Sequence, residues 1–402
     1  MIQQILHIIF FLLFLYLAAY TCYFFFVAVV GKLYKPRKYQ PHASKKSIAV
    51  LIPSYKEDHI IVNTARKAAG HDYPADKFKV YIAADRLQPA TVAELRTIPN
   101  VEVLEVFFEL GSKARSLNKL FHWIPADRHD VAIILDADNV MMPGVLEKVN
   151  AAFQAGFRAV QSHRIAKNLN TPVAILDAIS EEGNNHLFRR GQRALGFSST
   201  TIGSGMAFEF HKIKEIYDIP DILGNPACDR VVDFEIMKAD ICIEFIDDAY
   251  VQDEKVGNKQ VFENQRTRWI ESQIIHLRLF FDKKSGHLPK TKDYFNKLFC
   301  NLAAPRLIFL MSYFLVFAII ILQYFTGYSI LWPQYTWWLG LMLLYGATFI
   351  IAIPNKFYSK QTIGAVLHIP VLVWSIVRAL FKLNVDRKEF VHTPKAFTQQ
   401  DN

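Results

Sequence analysis

The chain has 402 residues and a formal net charge of +9, and 52% of its residues are apolar. This length is enough for a catalytic domain together with several membrane spans, while a content of 32 Phe and 17 Tyr argues against an ordinary soluble enzyme. The basic residues crowd beside apolar segments, which predicts contact with anionic lipid headgroups rather than nucleic acid, and the four scattered cysteines predict neither a disulfide framework nor a zinc site.

The first long apolar segment runs from Ile5 to Val30 without a charged residue. About 20 apolar residues cross a bilayer core, so this segment can span it with some tilt. No Lys or Arg precedes Lys32, and the apolar core is longer than that of a secretory signal, so we expect residues 1–31 to be a retained anchor. The basic linker that follows, residues 32–47, keeps its side of the membrane cytoplasmic by the positive-inside rule, with the amino terminus outside.

Residues 48–262 carry a different pattern, in which short apolar runs alternate with polar helical stretches. Strands are predicted at residues 48–52, 79–84, 101–106 and 131–135. Strands alternating with helices predict an α/β domain with a mostly parallel, Rossmann-like sheet that is covered on both faces. Ligands of such sheets bind beyond the carboxyl ends of the strands. Asp85 and Asp136 both follow predicted strands directly and are expected at that edge.

The chain returns to the membrane after the α/β domain. Residues 263–303 predict amphipathic helices that lie in the membrane interface. Residues 304–383 predict a C-terminal transmembrane region, with good spans at 307–325 and 335–353.

A third candidate span at 363–380 creates a conflict in topology. It is interrupted by His368, Pro370 and Arg378. A full crossing there would place the basic tail, residues 384–402, outside the cell against the positive-inside rule. A re-entrant or interfacial segment would avoid this conflict, and the sequence leaves both alternatives open.

The strongest chemical signal is Asp136-Ala137-Asp138, which follows a buried strand. Two carboxylates one residue apart at a strand end can hold a hard divalent cation, and Mg²⁺ or Mn²⁺ often binds through such a pair together with substrate phosphates. The metal would neutralise the charge on a leaving nucleoside diphosphate. An isolated D-x-D is weak evidence, because solvated loops carry such pairs by chance. Its position after the strand is what favours function.

Two further residues suit a nucleotide-binding edge. Asp85 ends a predicted strand, where a carboxylate can accept hydrogen bonds from a nucleobase or ribose, although a turn or helix-capping role explains it equally well. Lys113 can act as a point charge near phosphates, whereas an exposed helical lysine is the ordinary alternative.

The second half of the domain carries residues suited to an acceptor. Gly203-Ser204-Gly205 offers a backbone that a ligand can approach closely, because glycine lacks a Cβ. Asp233 lies at a predicted helix start, where its carboxylate can take a proton from an acceptor hydroxyl or simply favour the helix N-terminus. In the segment Gln265-Arg266-Thr267-Arg268-Trp269, Arg268 can grip a phosphate and Trp269 can stack on a sugar ring, or both can anchor an interfacial helix.

Taken in order, these segments resemble the family 2 glycosyltransferases, an inverting group that includes cellulose, hyaluronan and poly-N-acetylglucosamine synthases and ceramide glucosyltransferase. The resemblance covers about residues 47–270. It rests on Pro53-Ser54-Tyr55-Lys56-Glu57, Tyr81-Ile82-Ala83-Ala84-Asp85, Lys113-Ala114-Arg115-Ser116-Leu117-Asn118, Asp136-Ala137-Asp138, Leu195-Gly196 with Ile202-Gly203-Ser204-Gly205-Met206-Ala207, Asp253-Glu254-Lys255 and Gln265-Arg266-Thr267-Arg268-Trp269.

The resemblance implies a GT-A fold with a UDP-sugar donor, and Asp136 and Asp138 as the metal ligands. The donor-binding residues that it implies are Pro53, Tyr55, Glu57, Asp85, Lys113, Asp136, Asp138 and Arg268. The acceptor-binding residues that it implies are Gly203, Ser204, Gly205, Gln265 and Trp269. Asp233 falls where the family's T-E-D motif places its general base, with Val231 and Val232 in place of the Thr and Glu.

The predicted function is an inverting, metal-dependent transfer of a sugar from a UDP-sugar, by a multi-pass protein of the cell membrane with a cytoplasmic catalytic domain. The predicted acceptor is a growing polysaccharide, which Q-x-x-R-W and the interface helices favour. Transfer of one sugar to a membrane lipid stays open, since few spans make a private translocation channel hard to build without an export partner or an oligomer. A nucleotidyltransferase and a non-catalytic export subunit are the alternatives of other classes.

Overall fold

The computed structural model describes residues 2–109, 111–225, 227–257, 259–283, 286 and 288–384. Of the predicted basic tail, residues 385–402 therefore lie outside the described residues.

The centre of the molecule is an eight-stranded sheet. Its strands are β1 (Ile48–Tyr55), β2 (Phe78–Asp85), β3 (Val101–Val106), β4 (Val131–Ile134), β5 (Val140–Met141), β6 (Ala159–Ala166), β7 (Met206–Glu209) and β8 (Ile243–Asp253). They lie in the order β3-β2-β1-β4-β7-β6-β8-β5. The first four form a parallel half, β7 runs antiparallel between β4 and β6, and β5 runs antiparallel to β8. The four predicted strands and the mostly parallel sheet are confirmed.

Helices surround the sheet and continue into a membrane region. They are α1 (Ile2–Leu33), α2 (Asp58–Ala69), α3 (Pro89–Thr97), α4 (Lys113–Trp123), α5 (Val145–Gln154), α6 (Pro172–Asn185), α7 (Gly191–Ala194), α8 (Phe210–Tyr217), α9 (Pro220–Leu223), α10 (Cys228–Lys238), α11 (Lys259–Leu279), α12 (Lys292–Leu302), α13 (Arg306–Thr326), α14 (Tyr335–Ala352), α15 (Lys360–Val366) and α16 (Ile369–Phe381). A π-helical turn, His186–Arg190, joins α6 to α7.

Both faces of the sheet are covered, because side chains alternate between the faces of a strand. Val50 and Ile52 of β1 pack in one core with residues of α2 and α5. Ala49 and Leu51 of the same strand pack in a second core with residues of α4 and α8. Strands that are buried on both sides read as continuous apolar runs, which is the pattern that the sequence showed.

In the part of the chain that the structure describes, three helices are long and apolar enough to cross a membrane, namely α1, α13 and α14. Phe309 of α13 and Trp338 of α14 share one apolar cluster with Leu17 and Tyr20 of α1. Thr21 Oγ1 of α1 lies 2.6 Å from the hydroxyl of Tyr313 in α13, which gives two polar groups in the apolar cluster a partner. The predicted anchor and both predicted C-terminal spans are confirmed as apolar helices of spanning length.

The third candidate span is a bent pair, α15 and α16, with an angle of 43° between them. α15 packs against α6 of the catalytic domain. At the other end, Lys382 and Arg378 form ion pairs with Glu263 of α11, at 2.6 and 3.3 Å. The segment therefore packs on α6 at its start and on α11 at its end. A broken span and a re-entrant or interfacial segment both fit this bent pair, so the two alternatives that the sequence leaves open stay predictions.

The two predicted interface helices have different surroundings. α12 packs on the anchor, where the hydroxyl of Tyr20 donates to the carbonyl of Phe299 at 3.1 Å. α11 is more than an interfacial helix, because Phe262 and Glu263 in its first turn are buried, with 2% and 0% of their surface exposed. It forms a wall of the interior rather than lying only on the membrane surface.

Candidate active site

A cavity of about 1430 Å³ lies at the carboxyl ends of the parallel strands, between the sheet and α11. Most of the predicted site residues line it, namely Pro53, Tyr55, Glu57, Lys113, Asp136, Asp138, Gly203, Asp233, Gln265, Arg268 and Trp269. Residues from both predicted groups, donor and acceptor, therefore meet in one space.

Hydrogen bonds to the buried side chain of Ser204 stabilise the loop that carries Asp136 and Asp138. The backbone N–H of Asp136 donates to Ser204 Oγ at 3.0 Å, and the side chain of Asn139 lies 2.8 Å from the same oxygen. Ser204 has none of its surface exposed, and its contact with an acceptor stays a prediction. Its hydroxyl is occupied in holding the carboxylate loop.

The two glycines beside Ser204 allow this close packing. Gly203 and Gly205 have φ angles of +83° and +65°, which favour glycine over other residues. A Cβ on Gly205 would lie 3.0 Å from Val251 Cγ2. Gly203 lines the cavity and accepts a hydrogen bond from Lys113 Nζ at 2.6 Å. The turn therefore shapes the wall through its backbone, as predicted for Gly203, while Gly205 packs against β8.

Lys113 is the first residue of α4, which begins after Ser112, whose side chain accepts from the Arg115 N–H at 3.3 Å. Its ammonium group forms an ion pair with Asp136. Burial lowers the pKa of Lys113, but the neighbouring Asp136 carboxylate outweighs burial and raises it above its ordinary value. Lys113 is therefore a fixed positive charge beside the carboxylate loop, which suits a diphosphate.

Asp85 lies at the end of β2 with none of its surface exposed. Its Oδ1 accepts a long hydrogen bond, 3.4 Å, from the Phe108 N–H. Within the described part of the chain, Oδ2 is buried without a hydrogen-bond partner. Burial raises the pKa of this carboxyl group above its ordinary value. A buried acceptor without a donor is costly. Asp85 is not among the residues that line the cavity, so its contact with a nucleoside stays a prediction.

Asp136 and Asp138 meet the chemical requirement for a hard cation, since both offer carboxylate oxygens to one cavity. Among the residues that the structure describes, no cluster of three or more His, Cys, Asp or Glu side chains could hold a metal by itself. A site with two protein carboxylates fits Mg²⁺ or Mn²⁺, which commonly completes its shell with phosphate oxygens and water.

Helix α11 forms the opposite wall of the cavity. Gln265, Arg268 and Trp269 all face into it. Burial lowers the pKa of Arg268, and the Asp229 and Asp136 carboxylates oppose that effect. The intervening Arg266 forms an ion pair with Asp177 of α6, and its guanidinium lies 4.1 Å from the centre of the Trp269 ring. This stack holds the Trp269 ring in place.

Asp233 was predicted at the start of a helix, but it lies in the middle of α10. Its two carboxylate oxygens accept from Lys297 Nζ at 2.7 Å and from the Thr201 N–H at 3.1 Å. Only 2% of its surface is exposed. Burial raises the pKa of Asp233, but Lys297 outweighs burial and holds it below its ordinary value. A buried, ion-paired carboxylate of low pKa is a weak proton acceptor.

Asp229, one turn earlier in α10, was not predicted as a site residue from the sequence. It lies in the first turn of the helix and lines the cavity. A Cβ on Gly203 would lie 3.4 Å from its Oδ2, and its charge acts on both Lys113 and Arg268. The available signal was the Asn225-Pro226 dipeptide in the sequence, which favours a helix start just after it.

The predicted Asp253-Glu254-Lys255 segment contributes to a buried ionic network under the cavity. Lys255, with 2% of its surface exposed, pairs with Asp253 at 2.7 Å and also with Glu181. Arg164 pairs with the same two carboxylates, at 2.5 Å to Glu181 and 3.7 Å to Asp253. The network ties α6 to β6 and β8, and so fixes the floor of the site.

Replacing Lys255 by Met is expected to lower the free energy of unfolding by about 3–5 kcal/mol, because it leaves two buried carboxylates with one cation. The measurement is the thermal unfolding midpoint of the purified protein in detergent. Lys259→Met, a nearby lysine that is exposed, is the control and should leave the midpoint unchanged. Equal midpoints for Lys255→Met and the wild type would show that the network does not stabilise the fold.

Residues 45–272 match the sequence profile of glycosyltransferase-like family 2. The chain belongs to this family. No curated protein sequence matches the chain. In its fold the chain is similar to the mannosyltransferase PcManGT from Pyrobaculum calidifontis, solved in complex with GDP-Man and Mn²⁺, with a TM-score of 0.57 and 16% sequence identity over 92% of this chain and 99% of that chain. A weaker similarity, with a TM-score of 0.41 and 13% identity, relates 83% of this chain to 88% of TarS residues 1–349 from S. aureus.

The predicted enzyme class and fold are therefore confirmed at the level of a family 2 glycosyltransferase with a GT-A α/β domain and helices long enough to span a membrane. The identity to PcManGT is low, so this likeness shows the fold alone. The closer relationship to polysaccharide synthases, the donor, the acceptor and the roles of single residues stay predictions.

Proposed function

We propose that this family 2 enzyme moves a sugar from a UDP-sugar, with inversion, to an acceptor held at the cytoplasmic face of the cell membrane. The observation that carries the proposal is the single cavity that holds Asp136, Asp138, Lys113 and Arg268 at one end and reaches α13 and α14 at the other. Charged groups for a diphosphate thus share one space with the membrane helices.

In this proposal the donor lies along the carboxyl edge of the sheet. Asp85 is buried at the end of β2 beside that edge and is the predicted hydrogen-bond partner of the nucleoside, and Asp136 and Asp138 would hold Mg²⁺ or Mn²⁺. The bound ion would supply positive charge to the diphosphate; the Mn²⁺ bound to PcManGT shows such an ion in a protein of similar fold. Lys113 and Arg268 place fixed positive charges where negative charge develops on the leaving diphosphate.

We assign the general base to Asp229 instead of Asp233. Asp229 lines the cavity beside Gly203, whereas both oxygens of Asp233 are occupied by Lys297 and Thr201. An acceptor hydroxyl loses its proton to Asp229 and attacks the anomeric carbon. The bond from that carbon to the diphosphate breaks on the opposite face, and UDP leaves.

The acceptor end favours a membrane lipid over the growing polysaccharide predicted from the sequence. The three apolar helices of spanning length among the described residues are few for a private channel. The bent α15–α16 pair is held by contacts with α6 and by ion pairs with Glu263 of α11. A non-catalytic export subunit is disfavoured because the carboxylate loop, Lys113 and Arg268 are all present and face one cavity.

The purified protein is expected to release UDP from one member of a panel of UDP-sugars when Mn²⁺ or Mg²⁺ and native membranes are supplied. A matching panel of GDP-sugars tests the choice of nucleotide. Organic-extractable labelled product would support the lipid acceptor, and a glycosidase-sensitive product of high molecular weight would restore the polysaccharide. If no nucleoside diphosphate is released from any donor, the proposed activity is wrong.

A further inference from the structure

The membrane end of the cavity has apolar walls. It is lined there by Leu307, Leu310, Phe349, Ile353, Ile363 and Leu372, which come from α13, the end of α14, α15 and α16. Two of these helices are candidate membrane spans. An apolar wall continuous with membrane helices suits a hydrocarbon chain, and a free glycan would gain little from it.

Three arginines line the cavity without a carboxylate partner among the residues that the structure describes, namely Arg189, Arg230 and Arg306. Arg189 has 3% of its surface exposed. Its guanidinium donates only to neutral oxygens, the carbonyl of Thr200 at 3.3 Å and Asn185 Oδ1 at 2.9 Å. Burial lowers the pKa of Arg189 to about 9, although the more distant Glu181 and Asp233 carboxylates act in the opposite direction.

Arg306 repeats this arrangement at the first residue of α13. Its Nη2 donates to the carbonyl and hydroxyl of Ser180, at 2.9 and 3.1 Å, and to Asn184 Oδ1 at 2.6 Å. Tyr345 and Arg266 are the neighbours that act on it electrostatically, and neither is a carboxylate. Arg306 therefore stands where the apolar walls begin, and no carboxylate of the described residues pairs with it.

Other cations that line the cavity do have carboxylate partners, unlike these three arginines. Lys297, Lys255 and Arg266 each form an ion pair with a carboxylate. Burying a cation without an anion costs several kcal/mol, and a bound anion offsets that cost. The three unpaired guanidinium groups thus mark a place for a negative ligand between the catalytic centre and the membrane.

We propose that the acceptor is an anionic glycolipid, in which a phosphate joins a hydrocarbon chain to a sugar. This proposal rests on the proposed function and names its substrate class. The hydrocarbon chain lies between α13, α14 and the α15–α16 pair, and the phosphate binds the guanidinium groups of Arg306 and Arg189. The sugar then reaches Trp269, where one of its hydroxyls gives its proton to Asp229 and bonds to the donor's anomeric carbon as UDP leaves.

A matched pair of lipids tests the anionic headgroup. Native mass spectrometry of the full-length protein in detergent compares a polyprenyl phosphate with the polyprenol of the same chain length. The phosphate is expected to bind at least about tenfold more tightly, as for a charge-assisted hydrogen-bonded pair. Equal binding of the two lipids would overturn the proposal.

The arginines are tested by substitution in the same assay. Arg306→Gln and Arg189→Gln should each remove most of the preference for the phosphate, and Arg306→Lys should retain part of it. Arg115→Gln is the matched control, because Arg115 lines the donor end of the same cavity and is exposed. Unfolding midpoints separate lost binding from lost folding. Unchanged binding in both Gln variants would refute the assignment.

Two further measurements distinguish a wrong acceptor assignment from a wrong proposed function. Inorganic phosphate or UDP that displaces the lipid phosphate at equal concentration would assign the arginines to a soluble anion or to the donor. Labelled product from native membranes should enter the organic phase and bind an anion exchanger, whereas a neutral lipid product would flow through. UDP release that persists without phosphate-selective lipid binding would leave the glycosyltransferase intact and overturn only the acceptor.

Discussion

Asp229→Asn is expected to lower kcat by about 10²–10⁴-fold, the usual contribution of a general base, with little change in the KM for the donor. The carboxylate lines the cavity beside Gly203 and lies where an acceptor hydroxyl would lose its proton. The amide keeps the shape and volume of the side chain but cannot accept the proton. Initial rates of UDP release with saturating donor and native membranes give the comparison.

Asp233→Asn is the matched variant, because it makes the same chemical change one helical turn away. It should retain most of kcat but lose stability, since it leaves Lys297, with 4% of its surface exposed, without its anion. The expected loss is about 3–5 kcal/mol. The double variant Asp233→Leu with Lys297→Met should recover much of it, because both buried charges are then removed.

The ion pair between Asp233 and Lys297 is expected to make the stability of the protein depend on pH. Because Lys297 holds the pKa of Asp233 below its ordinary value, the ion pair contributes fully above the ordinary pKa of an aspartate. That contribution is lost only as the pH falls through the lowered pKa, and Asp233→Asn should abolish this part of the acid transition. A well-folded Asp233→Asn protein without turnover, beside an active Asp229→Asn protein, would return the base to Asp233.

Asp138→Asn is expected to weaken the binding of Mn²⁺ by at least about 10²-fold, since even the outer partners of metal ligands contribute about 10–100-fold. Asp138 and Asp136 are the two carboxylates of the loop that lines the donor end of the cavity. Calorimetric titration of Mn²⁺ in the presence of UDP measures this loss without depending on turnover. In the wild type, EDTA should stop UDP release, and excess Mn²⁺ or Mg²⁺ should restore it.

Asp248→Asn is the control for this experiment, because its side chain pairs with Lys148 and is 47% exposed. It should bind Mn²⁺ as the wild type does. Turnover that is unaffected by EDTA in the wild type, or full Mn²⁺ binding by Asp138→Asn, would contradict a metal site at this loop.

The strands of the sheet and the edge on which the donor residues lie could be predicted from local pattern. Apolar runs that end at Asp85 and Asp136 became β2 and β4, because a strand buried on both faces must be apolar along its whole length. The position of Asp85 and Asp136 at one edge of the sheet could also be predicted, because the carboxyl ends of parallel strands lie at the same edge. Both predictions use only residues that are close together in the sequence.

The proposed choice of Asp229 over Asp233 as general base could not be made in this way. Asp229 and Asp233 lie in one helix, and each is an aspartate near a possible helix start. The difference lies in Lys297 of α12, which pairs with Asp233 from 64 residues further along the chain. The hydrogen bond by which Ser204 supports the carboxylate loop could not be predicted for a similar reason, because its partner is Asp136, 68 residues earlier.

The α/β domain, the apolar helices and the charged residues of the site could be predicted from the amino-acid sequence, because burial and periodicity produce local patterns along the chain. Which of those charges are neutralised within the protein and which face the cavity depends on the folded structure. Asp233, Lys255 and Arg266 are paired by residues distant in sequence, whereas Arg189 and Arg306 have no carboxylate partner among the described residues. A charge acts through space, so its partner, and with it the group left for a substrate, is fixed only when the chain is folded.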